Sequence, residues 1–156
     1  MAKTSNYLTV FNCKSALKSG DVATYGCALV TIVKGQWLDS DGSGYATNTA
    51  TAFTADALGV ALYSKDASDD AAAGTSNVQV ILPNPNLVFI APVEANALIT
   101  QAAVGTFVDL ESNDGLDISD TSTTGWGFMI DEIDVSAEAI AVTTYGYAIG
   151  RFLRVA

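Results

Sequence analysis

An all-β fold, a compact sandwich or barrel of short and mostly antiparallel strands with little helix, is what this sequence predicts. Three features predict it. Short runs rich in Val, Ile, Leu, Thr and aromatic residues recur at spacings near ten residues; Gly, Asn, Asp, Ser or Pro punctuates them; and no segment carries a long apolar stripe of helical period.

The first run, NYLTVF, sets Tyr7, Thr9 and Phe11 on one parity and Leu8 and Val10 on the other. A strand of this kind needs cover on both faces, so it is either the central strand of the domain or an addition to a neighbouring chain's open sheet edge. Residues 1–14 are therefore set apart as an N-terminal arm or exchanged strand, and residues 15–156 as a single β domain. Strands follow at CALVTIV (27–33), QWL (36–38), ATAF (50–53), GVALYS (59–64), NVQVIL (77–82) and NLVFIAPV (86–93). ALITQ (97–101), TFVDL (106–110), WGFMIDEI (126–133), AIAVTTY (139–145) and YAIGRFL (147–153) complete the series. TADAL and DVSAEA suit a turn or two of helix. Pro83 and Pro85 stop one strand and mark a crossover or a sheet edge. Residues 39–44 (DSDGSG), 65–77 and 111–125 read as polar loops, whose Asp and Asn side chains close their own turns.

Charge narrows the partners. The chain of 156 residues has 17 acidic and 7 basic side chains, a net charge of -10, and only 15% charged residues. From Asp66 to Gly150 there is no Lys or Arg. Such an anionic body is repelled by phosphate backbones, so no nucleic acid is expected as a partner. Low charge with a positive mean hydropathy predicts apolar surface buried against other chains. The most apolar runs, CALVTIV and LVFIAPV, fall far below the roughly 20 residues of a membrane-spanning helix, and no signal-peptide core opens the chain. A soluble protein made in the cytoplasm, without a membrane partner, is the expectation.

Catalysis finds little support. The sequence has no histidine, which removes the commonest general base and metal ligand. Cys13 and Cys27 form no CxxC motif, cannot complete a zinc site by themselves, and are expected free and buried rather than bridged. Asp131, Glu132 and Asp134 alternate with apolar neighbours as on a solvent-facing strand. DSDGSG resembles the opening of a calcium loop, with Asp39, Asp41 and Ser43 as candidate ligands and Gly44 at the turn, but Ala50 stands where the bidentate Glu is needed. No enzyme, no cofactor and no committed metal site are expected.

The order of several motifs resembles that of the capsid decoration, or cement, proteins of tailed bacteriophages. SGDVATYGCALV (19–30) is followed by ALGVALYS (57–64), NVQVIL, AVGTFVDL (103–110) and YGYAIGRFL (145–153), with Gly20, Gly59, Gly105 and Gly150 at turns or bulges. The resemblance implies a structural virion protein on the outer surface of the capsid. Its partner would be the major capsid protein, at junctions between subunits, with a homo-trimer as the working form and stabilisation of the expanded shell as its task. The contact residues expected for capsid or subunit exchange are Lys3, Tyr7, Leu8, Val10 and Phe11. Two rival readings are a tail tube or head-fibre component, and a carbohydrate-binding β module built on Trp37, Tyr45, Trp126 and Tyr147. A host-cell β domain outside any virus is a third.

Overall fold

The computed structural model describes residues 10–95, 97–123, 125–143 and 145–155. Among them run β1 (Asn12–Cys13), β2 (Val22–Gly26), β3 (Thr31–Ile32), β4 (Trp37–Ser40), β5 (Ala46–Thr47), β6 (Ala57–Ala61) and β7 (Lys65–Asp66). They continue with β8 (Asn77–Ile81), β9 (Phe89–Ala95), β10 (Phe107–Ser112), β11 (Gly115–Thr121), β12 (Gly125–Asp134), the helix α1 (Ala137–Thr143) and β13 (Tyr147–Val155). The predicted all-β class is what folds.

The strands build two barrel-like units. In the first, β9, β11, β10, β12 and β13 lie side by side and β13 pairs back onto β9, so the sheet closes; β1 adds to β9. These pairings are antiparallel except β11 on β9, which is parallel. In the second, the order is β2, β8, β6, β4, β5, and a parallel bridge from Cys27, just past β2, to Ala46 of β5 draws the two edges together. β3 and β7 form a separate ribbon. The chain passes from the second unit to the first between β8 and β9, at the LPNPN stretch that the prolines marked.

Side-chain alternation joins the two units. Successive residues of a strand point to opposite faces, and here both faces are covered. Trp37, Val60 and Ile81 enter one core with Phe89, Phe128 and Phe152. Their neighbours Leu38, Ala61 and Val80 enter the other, with Cys27, Ala46 and Val78. The shared sheet is thus a wall with a core on each side.

Phe152 of β13 sits at the middle of the first core. Its ring centroid lies 4.8 Å from Trp37, 4.9 Å from Phe89, 5.1 Å from Phe128, 5.5 Å from Phe11 and 5.8 Å from Phe53. Pairs of this geometry contribute about 0.5–1.5 kcal/mol beyond simple burial. Two glycines make the sheets possible. Gly59 (φ +137°) adjoins the bulge in its own strand that leaves Leu58 without a partner on β4, and a Cβ there would run into the Ile81 carbonyl oxygen. Gly150 faces the bulge that leaves Asp131 unpaired, and there a Cβ would strike the Met129 carbonyl oxygen.

Several expected elements come out differently. The supposed loop 111–125 contains β11: Leu116 is buried and Ile118 packs on the core, a period-two pattern that its acidic composition hid. AIAVTTY is not a strand; Ala137–Thr143 is helical. Ser136 starts it, since its Oγ accepts the Ala139 N–H (3.3 Å) and its carbonyl accepts the Ile140 N–H (3.0 Å), a cap that outweighs β-branched propensity. CALVTIV breaks after Cys27, resuming only as β3. ATAF and ALITQ are irregular, although Phe53 and Ile99 still reach the core. At the terminus, Val10 and Phe11 precede the paired Asn12–Cys13, and residues 7–9 of the expected strand lie outside the described residues.

Candidate functional site

The calcium-like motif resolves into a self-closed hairpin turn between β4 and β5. Asp39 is turned inward, 8% exposed, where Oδ1 accepts the Trp37 Nε1–H (2.9 Å) and Oδ2 the Thr54 hydroxyl (3.4 Å). Burial pushes its carboxyl above the ordinary value, against the lowering effect of those hydrogen bonds. Asp41 Oδ1 accepts the N–H groups of Ser43 (2.8 Å) and Tyr45 (3.1 Å). Asp39, Asp41 and Ser43 therefore do not converge on a common point, and among the described residues no three acidic or thiol side chains come together as a metal site. The acids are consumed by the turn.

The acidic stretch of β12 is likewise partnered along its own strand end. Asp131 receives Arg151 through both carboxylate oxygens (2.8 and 3.1 Å), Asp134 accepts the Ser136 N–H (2.9 Å), and Glu132 is exposed. The aromatics of the carbohydrate reading form no exposed row. Trp37 and Tyr147 are buried, and Trp126 is half-buried beneath Arg154, 5.7 Å from its ring.

What remains is a contact surface at the root of the arm. Phe11 is 1% exposed and packs against Phe128 and Phe152. Within this chain its ring belongs to the core, filling the space between β13 and the shared sheet. Its N–H donates to the Gly35 carbonyl (3.0 Å), and the Lys14 N–H to Val88 (2.7 Å). The arm root therefore straddles the two units. Lys3, Tyr7 and Leu8 lie outside the described residues, whereas Val10 is half-buried at the mouth of a cleft.

That cleft, about 430 Å³, is walled by Val10, Cys13, Leu17, Val33, Leu62 and Ile81. A shallower hollow shares Leu17 and Leu62 with it and adds Tyr63. Val33 is 45% and Tyr63 57% exposed, and a bond from the Lys34 N–H to Ser64 Oγ (2.8 Å) holds their two segments together. Lys34 lines the cleft and Lys18 the hollow; Lys14 follows β1 and Lys65 begins β7. The nearby acids are occupied: Asp21 accepts the Lys18 N–H and the Asn84 amide. Asp66 is held below the ordinary carboxyl value by the Ser68 hydroxyl and N–H and by the Thr31 hydroxyl.

Of the residues lining the cleft and hollow, the sequence pattern singles out Val10 and not Val33, Leu62 or Tyr63. One signal was available. Tyr63 follows Leu62 at the end of GVALYS, on the parity opposite a residue that packs on the core. The two thiols are free, and burial raises both above the usual value. Comparison with protein-family models, with curated proteins and with solved structures finds no match to this chain.

Proposed function

We propose that the protein is a structural virion protein that adheres in repeated copies, as a trimer, to the outside of a tailed-phage capsid. It binds at junctions between major capsid subunits and stabilises the expanded shell. The observation that carries this reading is the ordered series of turn-and-strand motifs. SGD forms the 3-10 turn into β2, ALGVA is β6, NVQVI is β8, the VGT turn leads into β10, and YAIGRFL lies within β13.

The surface is of a suitable kind. A weakly charged body with an apolar cleft at the base of an arm gains adhesion from modest contacts, which repetition over a lattice multiplies through effective concentration. The arm residues Lys3, Tyr7, Leu8 and Val10 are the proposed shell contact, with Phe11 as the anchor that fixes the arm to the body.

The test mixes the purified protein with expanded, undecorated heads of a tailed phage that encodes it, and counts bound copies by electron cryo-microscopy. Saturable density at subunit junctions is expected; bare shells overturn the reading. Removing residues 1–9, which leaves Phe11 in the core, is expected to strip most of the occupancy. Undiminished binding would take the contact away from the arm.

A further inference from the structure

Two exposed apolar patches lie at opposite ends of β9 and carry opposite charge. At its start, Phe89 pairs with Cys13, which lines the cleft with Val33 and Lys34, next to the hollow of Tyr63 and Lys18. At its far end, the Val93 N–H donates to the Gly146 carbonyl (3.0 Å). Gly146 lies against Ile99 and Val135, so this end presents Val135, 40% exposed, and Leu98, 44% exposed. From Phe89 to Val93, four residues of β9 at about 3.3 Å each, the strand separates the two patches by roughly 13 Å.

The charges divide by end. Lys34 lines the cleft and Lys18 the adjoining hollow, Lys14 lies in the chain between Cys13 and Ser15 of the cleft wall, and Lys65 pairs with Ile32 next to Val33; four cations thus stand on this side against the carboxylates of Asp21 and Asp66. Around Val135, in DEIDVSAE, stand Asp131, Glu132, Asp134 and Glu138, and the cation facing them, Arg151, is bound to Asp131.

We infer that the corner tipped by Val135, between β12 and α1, docks into the lysine-rimmed cleft of a second copy of this chain, head to tail. Charge selects this pairing. Cleft against cleft would set lysines against lysines, and corner against corner would set carboxylates against carboxylates, both of which like-charge repulsion disfavours. Head-to-tail contact buries Val135 and Leu98 against Val33, Leu62 and Tyr63 while matching the rims. An interface between two different patches is heterologous, so it propagates until it closes into a ring, or else forms a filament.

The inference rests on the reading of a protein that acts in several copies, and not on which surface receives it. It is tested without any shell present, so its failure leaves shell binding by the arm as a separate question.

Sedimentation velocity over a range of concentrations is expected to show self-association that weakens as salt screens the rims. Tyr63→Asp repels the acidic corner, and Val135→Lys repels the lysine rim. Each variant alone is expected to associate at least about tenfold more weakly, with an unchanged thermal midpoint showing that the exposed substitution leaves the fold intact. Mixed one to one, the two variants are expected to recover association, because each retains the face the other has lost. A wild-type protein that stays monomeric, single variants that assemble normally, or a mixture that fails to recover would each overturn the proposal.

Discussion

The two barrel-like units are close in strand number but are filled in opposite ways. The first closes β9 to β13 around Phe11, Trp37, Phe53, Phe89, Phe128 and Phe152. The second is filled by Cys27, Ala46, Ala61, Ala67, Val78 and Val80, with Leu38 and Ile32 as its largest members. Strand number does not set core volume. What sets it is how far the sheet closes and which neighbour lends a side chain: Trp37 grows from the second sheet, yet its ring serves the first core. One core is a stack of rings that depend on one another, and the other is a narrow space tuned to small residues.

Removing the central ring breaks this comparison most severely. Phe152→Ala is expected to cost about 3–5 kcal/mol, since five rings lose their common neighbour, and chemical denaturation followed by Trp37 fluorescence measures it. A cost below about 1 kcal/mol would mean that the aromatic core repacks freely and that the contrast between the units is wrong. Enlarging the small core is the next test. Ala61→Leu is expected to cost about 1–3 kcal/mol through overpacking, while the native fluorescence of Trp37, on the far side of the shared sheet, stays as it is. A stabilised variant would show unfilled space in the second core.

The smallest effect sharpens the boundary between the units, where Asp39 holds the Trp37 indole. Burial raises its carboxyl in the folded state, so the native protein binds this proton more tightly than the unfolded chain does. The associated stability is fully present below the unfolded value and is lost as pH rises through the folded one. Relative to Asp39→Asn, the wild type is therefore expected to gain stability as pH falls from neutral into the carboxylate range. Urea midpoints across that interval check the slope, and parallel curves for the two proteins would remove Asp39 from the account.

Much of this architecture was legible in the residues, and the exceptions share a cause. Strands with strong period-two patterns or dense apolar content, such as NVQVIL and YAIGRFL, lie where the pattern put them, and the prolines of LPNPN mark the passage between units. β11 escaped because Asp117, Ser119 and Asp120 make GLDISDT look like solvated loop, although Leu116 and Ile118 keep the strand rhythm. α1 was legible only at its start, where DVSAEA suits a helical turn; the Val- and Thr-rich AIAVTTY beyond it reads as strand, and the Ser136 cap decided otherwise. At the candidate surface, the two-faced arm pattern drew attention to Val10 and Phe11 alike, and it could not tell which of the two side chains is buried.

The β class, the lack of histidine and the gathering of lysines toward the first part of the chain can be read from the residues alone, because composition and local periodicity are properties of short stretches. Packing across the fold put Phe11 in the core and turned Asp39 inward to the Trp37 indole. It also decided that the lysine-rimmed cleft and the acidic corner lie at opposite ends of one strand. Those outcomes depend on which side chains barrel closure brings together across long separations in the chain, and no local pattern encodes that.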